Sequence, residues 1–200
     1  MPDAASTSSH LKRRLREQAV AARVRLSPGE RATRSHAIAD RVALLDGFRR
    51  ARTVALYAPV GAEVDTGEIA RRAAAAGKTL VWPRSVPGRR NMEFAACAPG
   101  EMVPGPIGAP EPPAWARALP PESIDLIVVP GLAFDAAGGR LGRGGGHYDA
   151  TLAAMPLRTP RVGLAFEAQL VPKVPREPHD VALDAVVTED RVLPDGEPPR

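Results

Sequence analysis

The chain predicts an α/β fold: a single domain on a mostly parallel open sheet flanked by helices, in a Rossmann-like three-layer arrangement. Three observations predict it. Two strand-like runs, 53–57 and 78–82, enclose a helical stretch of about 65–76. That makes a βαβ unit, which implies parallel strands and a right-handed crossover. The alternation of strands and helices continues through the rest of the chain. Finally, 200 residues with 44% hydrophobic content suffice for one domain with a substantial core.

The elements follow in order. Residues 1–9 are polar, lack the hydrophobic segment of a secretory signal, and are expected to form a disordered leader. The domain proper is expected over 10–193. Leu11, Leu15, Ala19 and Ala22 recur at helical spacing over about 10–25. Ser27, Pro28 and Glu30 take the N-cap, first helical and capping-box positions of a second helix. It is expected to run to about Leu45, where Asp46 and Gly47 stop it. After the βαβ unit, 91–96 reads as another strand. Residues 98–121, rich in proline and glycine, read as a long surface excursion. A strand over 125–129, a glycine-rich loop, a short helix over about 145–154, and strands over 161–166 and 185–187 complete the core. Residues 194–200 read as a polar tail. Open α/β sheets bind ligands beyond the carboxyl ends of their strands. The loops after Tyr57, after 125–129 and after Phe166 fall there.

Composition excludes several function classes. The single cysteine, Cys97, excludes an internal disulfide and a cysteine metal cluster, and reads as a small apolar filler. No apolar stretch approaches transmembrane length, so a soluble cytoplasmic protein without membrane contact is expected. The formal charge is +4, carried mostly by arginine. A basic surface suits polyanions, but no arginine run is interleaved with aromatics, so nucleic acid is not favoured. The histidines show neither a Ser-His-Asp order nor a zinc spacing.

The run from Gly138 to Asp149 carries the chemistry. Six of its twelve residues are glycine, and it also holds Arg140, Arg143, His147 and Tyr148. Glycines allow positive φ and let a ligand approach backbone N–H groups, and arginines add forked donors for phosphate oxygens. Between a strand and a helix such a loop is a phosphate cradle, and Asp149 could hold a magnesium ion beside it. The run matches neither the P-loop pattern nor the dinucleotide spacing. A merely flexible loop would need neither the arginines nor the closing Tyr-Asp. Elsewhere, Lys12 and Arg16 share one face of the first helix, where a bound anion would offset their repulsion. The plain alternative is a solvated basic face. Asp65 suits a helix cap. Glu63 has no such duty and could accept hydrogen bonds from a ligand amide or amino group. Asp180, after His179, could join Asp149 as a second magnesium carboxylate or simply form a turn.

Together these pieces resemble the 5-formyltetrahydrofolate cyclo-ligase family over about 11–190. The resemblance rests on Lys12, Leu15 and Arg16; on Glu63, Asp65 and Thr66; and on Gly77, Lys78 and Pro83. It continues through 130–135 and the specific run Arg140 to Asp149. It ends with Gly163 to Phe166, Gln169 and Leu170, and His179-Asp180 before 186–189. The resemblance implies ATP- and Mg²⁺-dependent conversion of 5-formyltetrahydrofolate to 5,10-methenyltetrahydrofolate through an N5-iminium phosphate, releasing ADP and phosphate. It implies that Lys12, Arg16, Arg140, Leu141, Gly142, Arg143, Gly144, Gly145, Gly146, His147 and Tyr148 bind ATP. Arg143 and Tyr148 would be catalytic. Ala58, Glu63, Arg143, Gly146 and His147 would bind the folate, with Glu63 on the pterin. Asp149 and Asp180 would hold Mg²⁺. His147 stands where the family usually has Phe or Tyr, and 98–121 matches only through Ile107, Gly108, Glu111 and Pro112. The expected substrate is 5-formyltetrahydrofolate, with or without a polyglutamate tail, and the expected state is a monomer. The competing reading is a sugar-phosphate isomerase-like or phosphate-binding α/β protein without ATP turnover.

Overall fold

Strand β1 (Thr53–Ala55), helix α4 (Gly67–Ala75) and strand β2 (Thr79–Arg84) form the predicted βαβ unit, with β1 and β2 parallel and Ala55 opposite Val81. They belong to a computed structural model that describes residues 4–106, 108–178 and 180–194. Three helices precede them: α1 (Ala4–Arg25), α2 (Pro28–Leu44) and α3 (Asp46–Arg50). After β2 come β3 (Glu93–Ala95), β4 (Val103–Pro104), β5 (Pro110–Glu111), β6 (Ala118–Leu119) and β7 (Leu126–Val129). A hairpin of β8 (Ala133–Phe134) and β9 (Arg140–Leu141) leads to α5 (His147–Ala153), then β10 (Arg161–Leu164), β11 (Ala185–Val187) and β12 (Val192–Leu193).

Among the described residues the main sheet has eight strands in the order β12-β11-β10-β7-β1-β2-β3-β6. The four inner pairings from β11 to β2 are parallel, whereas β12, β3 and β6 add antiparallel edges. Every residue of the central strand β7 is buried, as a parallel strand covered on both faces requires. Side chains alternate between the faces. Val54, Leu126, Val128 and Val162 meet Ile38, Val42, Phe48 and Ile69 of α2, α3 and α4 on one side. Ala55, Ile127, Val129 and Val186 meet Leu152 of α5 and Phe134 on the other. This is the expected three-layer α/β architecture. In chain order the parallel strands run 2-1-3-4-5, so the topology reverses between β1 and β7. A crevice opens beyond the carboxyl ends of two strands at such a point.

Several element boundaries differ from the expectation. Helix α1 begins at Ala4, inside the expected leader; alanine is the best helix former and extends the helix toward its N-terminus. Residues 1–3 and 195–200, the outer parts of the expected leader and tail, lie outside the described residues. The buried face of α1 is also rotated from the apolar stripe: Lys12, Ala19 and Arg23 are buried while Leu11 is exposed. Ala19 and Leu15 pack on Leu132, Ala133 and Leu141 of the hairpin segment. The capping box forms as read, with Glu30 N–H donating to Ser27 Oγ at 3.2 Å and Ser27 N–H to Glu30 at 2.8 Å. The break then falls at Leu45, and Asp46 opens α3 rather than merely ending α2, because Phe48 finds a buried place. Asp65 accepts from Gly67 N–H at 2.9 Å at the start of α4. The stretch 98–121 is only partly a surface excursion: it adds β6 to the sheet and a β4–β5 ladder that buries Glu111. No described helix is long and apolar enough to cross a membrane.

Candidate active site

The glycine-rich run divides into two parts with different work. Gly138 and Gly139 form the turn of the β8–β9 hairpin, with Gly138 at φ +75°. Asp135 anchors that turn, accepting from Ala137, Gly139 and Val174 N–H groups at 2.7–3.0 Å. Gly142 to Gly146 form the loop proper, which enters α5 through Gly146 at φ +70°. Buried Gln169 fixes the segment after β7 by donating to the carbonyls of Gly131 (3.1 Å) and Leu132 (2.8 Å). The loop thus hangs from anchored backbone on both sides.

The loop roofs a cavity of about 400 Å³ at the crevice between β1 and β7. Every residue expected in the site lines it: Lys12, Arg16, Ala58, Glu63, the run Arg140 to Asp149, and Asp180. Lys12 and Arg16, four residues apart, project from α1 on the side packed against the hairpin. Arg16 Nε donates to the Gly142 carbonyl at 3.0 Å and so grips the loop. Buried Lys12 pairs with Glu177 at 2.9 Å and Asp180 at 3.3 Å. Arg140, with its side chain 3% exposed, pairs with Asp149 at 2.7 Å, and its guanidinium stands 5.7 Å from the Tyr148 ring centroid. Its Nε is buried without a partner. Arg143, half exposed, reaches Glu63 at 2.8 Å, and Glu63 also accepts from Val60 N–H at 2.9 Å. His147 sets Nδ1 3.0 Å from the Arg90 carbonyl. A carbonyl only accepts, so Nδ1 carries the proton.

Burial, and next the charge of Glu63, raises the Tyr148 phenol well above its ordinary value, against the opposing pull of Arg140. Burial likewise raises Tyr57, whose hydroxyl donates to the Val64 carbonyl at 2.9 Å. Both stay neutral near pH 7 and can donate a hydrogen bond, but not act as bases. Arg23, one turn beyond Ala19 on α1, has its pKa lowered by burial, with Glu63 the largest opposing influence.

Asp149 and Asp180 border one cavity, and no cluster of three or more metal-ligating side chains occurs among the described residues. Two carboxylates fit magnesium, which keeps several waters and binds through one or two carboxylates plus substrate phosphates. His179 lies outside the described residues. The loop after Phe166 does not join the cavity. Glu167 accepts from Thr188 Oγ at 2.7 Å and pairs with Arg191, and Glu189 pairs with Arg34 at 2.5 Å and accepts from Glu167 N–H. These bonds close that end of the sheet. The sequence reading missed Pro83, Met92, Pro110 and Glu111 on the opposite wall, along with Glu177. Pro83 and Glu111 carried the resemblance without a site role, the others had no local signature, and only the fold brings all five to the site.

The family model described as "5-formyltetrahydrofolate cyclo-ligase family" matches residues 8–189. A 5-formyltetrahydrofolate cyclo-ligase of Mycolicibacterium smegmatis is 35% identical over 152 residues, covering 70% of this chain and 75% of that protein. The Escherichia coli protein of the same name is 38% identical over 144 residues, covering 70% and 79%. The NMR structure of the Aquifex aeolicus 5,10-methenyltetrahydrofolate synthetase superposes with a TM-score of 0.79 at 32% identity, covering 95% of this chain and 96% of that one. With that family's model matched over nearly its whole length, the chain belongs to the 5-formyltetrahydrofolate cyclo-ligase family.

Proposed function

We propose that the protein converts 5-formyltetrahydrofolate to 5,10-methenyltetrahydrofolate with ATP hydrolysed to ADP and phosphate, in the cytoplasm and as a monomer. One observation carries this reading: the basic residues, glycine loop and carboxylates that family membership would use line a single cavity at the topological switch point. The formyl oxygen attacks the γ-phosphate, ADP leaves, and the N5-iminium phosphate is closed by N10 with loss of phosphate. Phosphate leaves far more readily than an amide oxygen would. The protein's task is then positioning and charge neutralisation, which needs no side-chain nucleophile.

Each cation at the site has a polar partner within the protein: Arg140 holds Asp149, Lys12 holds Asp180, Arg143 holds Glu63 and Arg16 holds the Gly142 carbonyl. On substrate binding, Lys12, Arg16 and Arg140 turn donors toward phosphate oxygens, with backbone N–H groups of Gly142 to Gly146 closing around them. Asp149 and Asp180 are the residues that would hold Mg²⁺, which when bound neutralises charge on those oxygens. Arg143, the most exposed of the arginines in these ion pairs, releases Glu63 to the pterin and meets the charge that develops during phosphoryl transfer. Tyr148 donates its phenolic hydrogen. Ala58, Gly146 and His147 border the folate.

The test is absorbance of the methenyl-folate product after mixing protein, 5-formyltetrahydrofolate, ATP and Mg²⁺. A rise that requires every component is expected. Folded protein that binds ATP and yields no rise would overturn the reading and direct the search to phosphorylated sugars.

A further inference from the structure

Glu111 is a carboxylate held in a cavity wall without a counter-charge. Its residue is only 7% exposed, yet it lines the cavity. A buried carboxylate is costly unless it is paired and hydrogen-bonded. Here both hydrogen bonds come from one residue: Ser85 Oγ donates to Oε1 at 2.6 Å and Ser85 N–H to Oε2 at 3.1 Å. A carboxylate has about four acceptor positions, so about two are left for something else. No basic side chain among the described residues pairs with it. The adjacent Arg84 is turned away, bound to Glu93 at 2.6 Å and to the carbonyls of Pro113 and Ala116. The other carboxylates of the cavity are each matched by a cation: Glu63 by Arg143, Asp149 by Arg140, and Glu177 and Asp180 by Lys12.

The side chain is also seated. It folds over Gly105, where a Cβ would come within 2.5 Å of Glu111 Cγ and Cδ, so only glycine leaves it room. Pairing of Val103 with Glu111 in the β4–β5 ladder sets the position along the chain. Pro83, Met92 and Pro110 line the cavity as apolar neighbours. An uncompensated carboxylate repels phosphate and attracts N–H groups, so its complement is a flat, apolar-faced ligand with a nitrogen-rich donor edge.

We infer that Glu111 is a specificity-determining residue, which accepts hydrogen bonds from the N–H edge of the reduced pterin while the glycine loop holds the nucleotide. This rests on the function proposed above. It places carboxylates on two walls of the folate part of the cavity, Glu63 from the loop after β1 and Glu111 from the β4–β5 ladder.

Glu111→Gln keeps the shape and removes the charge. It should raise the dissociation constant of 5-formyltetrahydrofolate measured by equilibrium dialysis without nucleotide, and its KM, by about tenfold or more, as loss of charge-assisted hydrogen bonds does. KM for ATP and the melting temperature should stay near wild type. Ser85→Ala retains the charge and loosens its aim; it should raise only the folate constants, by roughly two- to fivefold, and serves where Glu111→Gln does not fold. Folate constants unchanged in both variants, with an active wild type, would overturn this role alone. So would a parallel rise in both KM values together with a lowered melting temperature, the mark of a structural tie. A wild type that neither binds nor converts 5-formyltetrahydrofolate would overturn this role together with the proposed function.

Discussion

Two arginines of the glycine-rich run, Arg140 in β9 and Arg143 in the loop, should separate activity from stability at the residue scale. Arg143 is half exposed, and its ion pair with Glu63 is of the kind that contributes about 0–1 kcal/mol. Arg143→Ala should therefore lower kcat/KM by about 10²–10³, the effect of removing a donor aimed at developing charge, and leave the melting temperature within a few degrees. Arg140 is buried and is the cation bound to Asp149. Arg140→Ala should cost activity as well as about 3 kcal/mol of stability, because it leaves the partly buried carboxylate unpaired. Steady-state kinetics and denaturant melts of the two variants give both numbers; equal melts would refute the difference. The gathering of basic and glycine residues at one cavity was legible in the sequence because glycine, arginine and a closing Tyr-Asp stand together in one short run. Glu111 was not. Its meaning lies in the absence of a nearby cation, which depends on where Arg84 points and not on any local pattern.

At the scale of elements, the site depends on how the chain enters α5 and how α1 lies across the β8–β9 hairpin. Gly146 precedes α5 in the left-handed region at φ +70°, and the nearest atom to a Cβ there is Arg90 Nη1 at 3.8 Å. Space is available, so the cost of Gly146→Ala is backbone strain alone, about 1–2 kcal/mol. Relief of that strain would tilt the loop off its N–H directions. The expected outcome is a modestly lowered melting temperature with a KM for ATP raised several-fold; a stability loss with unchanged KM would detach Gly146 from phosphate binding. Helix α1 shows where periodicity misled. The apolar stripe placed Leu11 inward, yet the buried face holds Lys12 and Arg23. Lys12 can be buried because partners wait for it in Glu177 and Asp180. Hydrophobic pattern contains no information about such partners. The βαβ unit and the Ser27 capping box were legible because each is a short-range rule.

Across the whole molecule, the strand order that places β1 beside β7 brings residues from position 12 to position 180 around one crevice. Alternation of strands and helices made the fold class legible, whereas strand order depends on long-range pairing, and the sequence alone only narrowed it. The same convergence concentrates both tyrosines of the chain, Tyr57 and Tyr148, at the cavity. Both phenols are raised above their ordinary value, chiefly by burial and next by the charge of Glu63. A group whose folded pKa exceeds its unfolded value binds its proton more tightly when folded. Its stabilising contribution is complete below the unfolded pKa, about 10 for tyrosine, and is lost as pH rises from there toward the folded value. The folded protein should therefore show no tyrosinate absorbance at the ordinary tyrosine pKa. Above about pH 10, tyrosinate absorbance and loss of far-UV circular dichroism should rise together, because unfolding supplies the ionisable phenols. Tyrosinate appearing ahead of the loss of dichroism would mean that a phenol is open to solvent. The tyrosines would then lose their place as neutral donors in the wall of the site.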